Sequence, residues 1–357
     1  MNLKKIRNCS LSYACILTTG RTGSDYLQGC LDGVPGVITF SGEVPFLKFL
    51  NNSKTKSIIK TENSKKFIEH FVRLNKNLFF YDKIENKKFK FSVKNFKFFF
   101  ILLMENQKFN YKNLINSIYL SYHITLKRRI LKNNLILHHS HNLVETETFI
   151  RNFKNSKLLV TIRNPFQNLK SGISNWARYD KAKKNFEHFY LYIYRIREDL
   201  NYALNKKKVF FVKLENMNSF KFKKSILSFL NLKNSMAVNT STFAGIPWKS
   251  DRISQFKKRN GKFNTSVLQE NWKDFYFKKD LIILRHLYSK YNLFGYQINK
   301  LNIIEKASLP LLFLLPMKFE LKVLKTIFFT GSIKKISLNI YFFLRKIIYY
   351  YKTYFLL

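Results

Sequence analysis

A chain of 357 residues with 46% hydrophobic content is long enough for one large α/β domain or two modest ones, and it supplies a packed core, so a disordered chain is excluded. Its three cysteines, Cys9, Cys15 and Cys30, cluster near the N-terminus without a framework spacing, which argues against a disulfide-stapled secreted domain and for free thiols in a reducing compartment. The net charge of +43 fits either a polyanionic partner or a surface rich in the Lys that A+T-rich codons supply; no zinc-finger spacing, aromatic RNA-binding signature or basic heptad region accompanies it, so nucleic acid is not the expected partner.

In chain order, no sustained apolar stretch with a small-residue cleavage site precedes the polar segment Thr18–Asp25, so no signal peptide is expected and cytoplasmic residence follows. Tyr13–Thr18 reads as a strand, Thr19–Ser24 as a glycine-bearing loop, and Tyr26, Leu27, Cys30 and Leu31 recur at helical spacing up to Gly33. Val37–Phe40 is a second strand that delivers Glu43 just past its end. Lys54–Asn134, rich in lysine and aromatics and lacking Gly and Pro, is predicted mainly helical. Leu135–His138, Leu158–Ile162 and Val209–Leu214 are continuous apolar runs of the kind that buried parallel strands show. Helices are predicted after Pro165 through Trp176, over Phe186–Leu204 and over Lys221–Leu230. A long loop follows over Phe243–Ser266, then two helical stretches within Leu268–Asn292. Past Leu301, no run approaches the roughly 20 apolar residues of a membrane span. Ile340, Phe343, Leu344, Ile347, Ile348, Tyr351 and Phe355 share one helical face, which fits a helix lying in a membrane interface or one packed on the main domain.

A strand feeding a glycine loop that opens a helix presents backbone N–H groups at the positive end of the helix dipole, where phosphate or sulfate binds. Gly20-Arg21-Thr22-Gly23-Ser24 has that form: the glycines let the backbone turn, Arg21 brings charge, and Thr22 and Ser24 bring hydroxyl donors. No Lys-Ser or Lys-Thr follows Gly23, which speaks against an ATP- or GTP-hydrolysing phosphate loop. Arg163-Asn164-Pro165 directly follows the strand Leu158–Ile162, with Asn164 placed to cap and Pro165 at the first helical position, so Arg163 and Ser171 can converge on a second anion. His139 and His141 would share a face if their strand continued, but no carboxylate or cysteine completes a metal site at known spacing, and no metal is expected.

Together, Thr19–Ser24 and Arg163-Asn164-Pro165 with Ser171 resemble the donor-binding motifs of the sulfotransferases that use 3′-phosphoadenosine 5′-phosphosulfate (PAPS), over about Ser12–Tyr296. The resemblance implies a three-layer α/β, P-loop-like domain with a central parallel sheet. It implies that Gly20, Arg21, Thr22, Gly23, Ser24, Asp25 and Tyr26 line the 5′-phosphosulfate and that Arg163 and Ser171 hold the 3′-phosphate. Asn164 replaces the family's usual Asp. Arg259 and Gly261 lie in a basic run where the family keeps a loop over the nucleotide. In glycan-modifying members a Glu just after the second strand is the base, and Glu43 stands there; His139 stands where the family often has a Lys facing the sulfate, so His139, or His141, competes with Glu43 for the base role.

The expectation is therefore a sulfotransferase domain over residues 1–300, with 54–134 as a mainly helical insert on the acceptor side, and a basic aromatic helical tail over 301–357. The activity expected is sulfuryl transfer from PAPS to a hydroxyl, on a carbohydrate or glycolipid, with an anionic membrane surface as a further partner of the tail at the inner membrane face. The rival readings are a nucleotide-dependent phosphoryl or glycosyl transferase and a non-catalytic basic binding protein.

Overall fold

The structure, a computed structural model, describes residues 6–80, 91–176, 186–248, 260–269, 271–321, 324 and 333–355. Five strands, β1 (Ser10–Thr18), β2 (Val37–Ile38), β3 (Asn133–Ser140), β4 (Lys157–Ile162) and β5 (Val209–Lys213), form one sheet in the order β2-β3-β1-β4-β5. The pairings of β1 with β3, β1 with β4, and β2 with β3 are parallel. The apolar run of β1 is inaccessible to water from Ala14 to Leu17, as a central strand covered on both faces requires.

The helices used below are α1 (Ser24–Asp32), α2 (Ser53–Lys60), α3 (Ser64–Leu74), α4 (Val93–Met104), α5 (Tyr111–Thr125), α6 (Leu143–Asn152), α7 (Pro165–Trp176), α8 (Phe186–Leu204), α9 (Phe220–Phe229), α10 (Lys278–Leu287), α11 (Ile303–Phe313) and α12 (Ile333–Phe355). The chain forms two compact units. The first comprises Met1–Thr18, Gly23–Thr161 and Lys206–Thr265; the second comprises Thr19–Thr22, Ile162–Asn205 and Ser266–Leu357.

In the first unit, alternation along β3 sends neighbouring histidines to opposite faces. His138 stacks on Phe149 of α6 and meets the Tyr119 hydroxyl of α5, whereas His139 reaches Gln28 of α1. Lys223 of α9 donates to the Tyr26 hydroxyl of α1, so α5 and α6 cover one face and α1 and α9 the other, a three-layer α/β fold. The helices α2 to α5 begin at side-chain caps from Asn52, Asn63, Ser92 and Asn110, which satisfy orphan N–H groups. Their apolar faces close on interlocked rings that include Phe49, Phe67, Phe71 and Phe100. The strand expected over Val37–Phe40 ends at Ile38: Thr39 and Phe40 leave the ladder, the one to bond Gln28 and the Leu137 carbonyl, the other to stack on Tyr122. The long loop expected after Phe243 contains a small hairpin, Thr242–Phe243 against Ile246–Pro247.

In the second unit, α12 is held by one stripe, Asn339, Lys346, Tyr349, Tyr350 and Thr353, all buried. Asn339 accepts the Phe186 backbone N–H at 2.7 Å, Tyr349 donates to Glu198 at 2.9 Å, and Lys346 pairs with Glu320 at 2.5 Å in the interior. Removing one partner of that buried pair would leave an uncompensated charge, at a cost of about 3–5 kcal/mol. The apolar face expected on this tail is narrower than its sequence suggests, because Phe343 and Ile347 are half-buried and Phe343 packs on Phe186. Helix α11 runs through Pro310, and its carbonyl accepts from Tyr351 of α12. Among the described residues between Leu268 and Asn292, only α10 is α-helical; Thr265–Leu268, Lys273–Phe275 and Ser289–Phe294 are 3-10 segments. Among the described residues, no helix is long and apolar enough to cross a membrane.

Candidate functional site

Within the sheet, β1 and β4 run side by side with Thr18 opposite Thr161, so the two motif-bearing junctions leave adjacent strands at the same level. Ligands of open α/β sheets bind beyond such carboxyl ends. The loop after β1 turns through three left-handed residues, Gly20 (φ 89°), Arg21 (φ 57°) and Gly23 (φ 82°). For Arg21 this conformation is disfavoured by roughly 1–2 kcal/mol, so something must hold the loop.

In the second unit that restraint is visible. The Asn168 amide donates to Thr19 Oγ1 at 3.0 Å, and the Tyr192 hydroxyl sits 2.8 Å from the Gly20 carbonyl and 2.9 Å from Asn168 Oδ1. Tyr192 can reach the loop because Gly172 faces its ring: a Cβ on Gly172 would lie 2.3 Å from a ring carbon. Burial pushes the Tyr192 phenol well above its ordinary pKa, and the guanidinium groups of Arg21, Arg195 and Arg163 pull it the other way. Arg21 and Arg163 thus project positive potential onto one buried neighbourhood. Arg163 itself is buried, bonded to Gln167 at 3.4 Å and to the Val267 carbonyl. Asn164 caps α7 by accepting from Phe166 and Gln167 at 3.0 and 3.3 Å, and Ser171 lies buried two turns along the same helix.

In the first unit, Gly23 opens α1, and a Cβ there would approach Leu214 Cδ1 to 2.5 Å. Ser24 is buried at the start of the helix. Tyr26 is buried against Phe263 and Trp248, with burial driving its phenol pKa up. Asp25 lies 3.9 Å from His139 Nδ1. Gln28, with no exposed surface, donates to the carbonyls of Phe40 and Gly42 at 2.9 and 3.3 Å. Those oxygens only accept, so the Gln28 amide nitrogen faces them and its Oε1 faces His139 Nδ1 at 2.9 Å. His139 therefore carries its proton on Nδ1, and in the neutral ring Nε2 is the basic nitrogen. Glu43, half-exposed, accepts the His141 backbone N–H at 3.1 Å, and the His139 and His141 rings lie 4.9 Å apart. Gly261 (φ 80°) fits against Ser241, its carbonyl accepting from the Ser241 N–H at 2.9 Å. Arg259 lies outside the described residues. Among the described residues, no group of three or more His, Cys, Asp or Glu side chains could hold a metal ion.

Three residues of this arrangement carry no motif: Asn168, Tyr192 and Gln28. The one sequence signal for Asn168 is its place at i and i+3 with Ser171 on one face of α7, both buried. No protein-family model matches the chain, and no curated protein does. Among solved structures, the chain is similar to a sulfotransferase domain from the Synechococcus PCC 7002 olefin synthase, at 15% identity and a TM-score of 0.36, over 74% of this chain and 84% of that one. It is also similar to a sulfotransferase domain from the curacin biosynthetic pathway, at 12% identity and a TM-score of 0.41, over 82% of this chain and all of that one.

Proposed function

We propose that this protein is a sulfotransferase that moves a sulfuryl group from PAPS to a hydroxyl of a carbohydrate or glycolipid. The observation that carries the reading is the second unit's pair of arginines: Arg21 in a left-handed glycine loop and Arg163 at the capped start of α7, both acting on Tyr192. A donor with a 5′-phosphosulfate and a separate 3′-phosphate needs two such cationic positions. The left-handed loop suits the first, since its backbone N–H groups can turn toward an oxyanion.

In this reading Arg163 and Ser171 hold the 3′-phosphate, and Gly20 to Ser24 cradle the phosphosulfate. The acceptor oxygen forms the new S–O bond as the bond from sulfur to the bridging phosphate oxygen breaks, releasing 3′-phosphoadenosine 5′-phosphate. Arg21 neutralises the charge that develops on that leaving oxygen. Glu43 takes the acceptor proton; the His139 Nε2 lone pair is the competing base. Asn168 and Tyr192 fix the loop, and Gln28 fixes both the chain entering Glu43 and the His139 tautomer.

Thermal shift tests the donor assignment: 3′-phosphoadenosine 5′-phosphate should raise the melting temperature and ATP should not. Indifference to both would leave a basic binding protein, and a response to ATP alone would favour phosphoryl transfer.

A further inference from the structure

The docked tail leaves an apolar stripe that no described residue covers. At 100° per residue, Ile333, Ile340, Leu344, Ile348 and Phe355 fall within an arc of about 80° on α12, and each is between 52% and 83% exposed. The opposite side of the same helix carries Asn339, Lys346, Tyr349, Tyr350 and Thr353, already buried in the second unit. The stripe is therefore not the face by which the tail joins its own fold. Along one margin run Lys334, Tyr341, Arg345 and Lys352, all exposed, with Arg345 bonded to the Tyr341 hydroxyl at 3.2 Å and lying over its ring. Helix α11 exposes Ile303, Ile304 and Leu311.

Charge selects what can cover this stripe. Residues 301–357 hold nine Lys or Arg and two acids, Glu305 and Glu320. Both acids are engaged internally, Glu305 with Arg285 and Glu320 with Lys346. An aliphatic band beside a row of unopposed cations and a tyrosine is the pattern of a helix lying at a lipid interface, its apolar side among acyl chains and its cations among headgroups. Since no described helix can span the bilayer, the contact is with one surface.

We propose that α12 docks the folded protein on an anionic lipid bilayer, its Ile333–Phe355 stripe entering the headgroup boundary and Lys334, Arg345 and Lys352 engaging anionic lipid. This partner goes beyond the catalytic reading and stands without it.

The test is co-sedimentation of the full chain with phosphatidylglycerol-rich vesicles and with pure phosphatidylcholine vesicles at physiological ionic strength. Light scattering is run in parallel. The wild-type protein is expected to bind the first and not the second. Leu344→Glu with Ile348→Glu should lower the partition coefficient at least about tenfold. Lys54→Gln with Lys56→Gln, the same loss of two positive units of net charge on exposed positions of α2, should alter it by no more than about twofold. A Phe355→Trp variant reports depth through the quenching by brominated lipid that exceeds that of the wild type with its three tryptophans. The proposal is overturned if the wild type stays in the supernatant, if both charge variants lose binding equally, or if brominated lipid quenches the Phe355→Trp variant no more than the wild type. It is also overturned if light scattering finds a dimer that the Leu344→Glu, Ile348→Glu pair abolishes, since a second copy then covers the stripe.

Discussion

Tyr192→Phe is the sharpest perturbation of the loop that follows β1. It removes one oxygen and leaves the ring that packs on Gly172, so no cavity of consequence forms. Two buried acceptors, the Gly20 carbonyl at 2.8 Å and Asn168 Oδ1 at 2.9 Å, lose their shared donor. An unsatisfied buried polar group costs about 1–3 kcal/mol. One hydroxyl hydrogen cannot serve two acceptors fully, so the loss should fall near the lower end, at about 1–2 kcal/mol. The left-handed Arg21 next to Gly20 loses its anchor at the same time, and binding of 3′-phosphoadenosine 5′-phosphate should weaken by roughly three- to tenfold, a partial loss of preorganisation. Urea denaturation reads the first quantity as a lower midpoint at unchanged slope, and calorimetry reads the second. Asn168→Leu completes a cycle: the residues share one network, so the double variant should depart from additivity by at least about 0.5 kcal/mol. An unchanged midpoint, or strictly additive effects, would refute the claim that Tyr192 and Asn168 hold the loop as a unit.

Arg163→Ala should weaken binding of 3′-phosphoadenosine 5′-phosphate by about 2–3 kcal/mol, as for a charge-assisted contact, in a protein that calorimetry shows still folded. Glu43→Gln keeps size and hydrogen bonding but cannot take a proton, so turnover should fall by about 10²–10⁴ with donor affinity nearly constant; if His139→Ala loses turnover and Glu43→Gln keeps it, the base is the histidine. Burial pushes Asp199 up to about 7 against the pull of Arg195, so the native state holds a proton that the unfolded chain, titrating near pH 4, has already lost. Native stability should therefore decline as pH rises from about 4 to 7, and Asp199→Asn should flatten that slope in denaturation midpoints measured across this range.

Much of the architecture was legible because buried parallel strands are written as unbroken apolar runs: the segments read as strands at Tyr13–Thr18, Leu135–His138 and Leu158–Ile162 all fall inside β1, β3 and β4. Phe186–Leu204 was readable to the residue as a helix. The second strand was overextended because Thr39 and Phe40 carry strand-like side chains but spend them on Gln28 and Tyr122, a choice made by helices distant in sequence. Pro310 lies inside α11, where it cannot donate to the Lys306 carbonyl one turn back, and its own carbonyl is taken up by the Tyr351 hydroxyl. In the site, glycine and arginine motifs announce themselves locally, whereas the residues that brace them do not. Asn168 is 149 positions from Thr19, and Tyr192 is 172 from Gly20. No short-range pattern encodes contacts of that span.

The central claim, a site built for a 3′-phosphorylated adenine nucleotide, is tested most directly by titration calorimetry with 3′-phosphoadenosine 5′-phosphate and with adenosine 5′-phosphate, which lacks only the 3′-phosphate. The account requires the first to bind at least about tenfold more tightly, with that advantage lost in Arg163→Ala. Equal affinity for the two nucleotides, or no binding of either by folded protein, would contradict it.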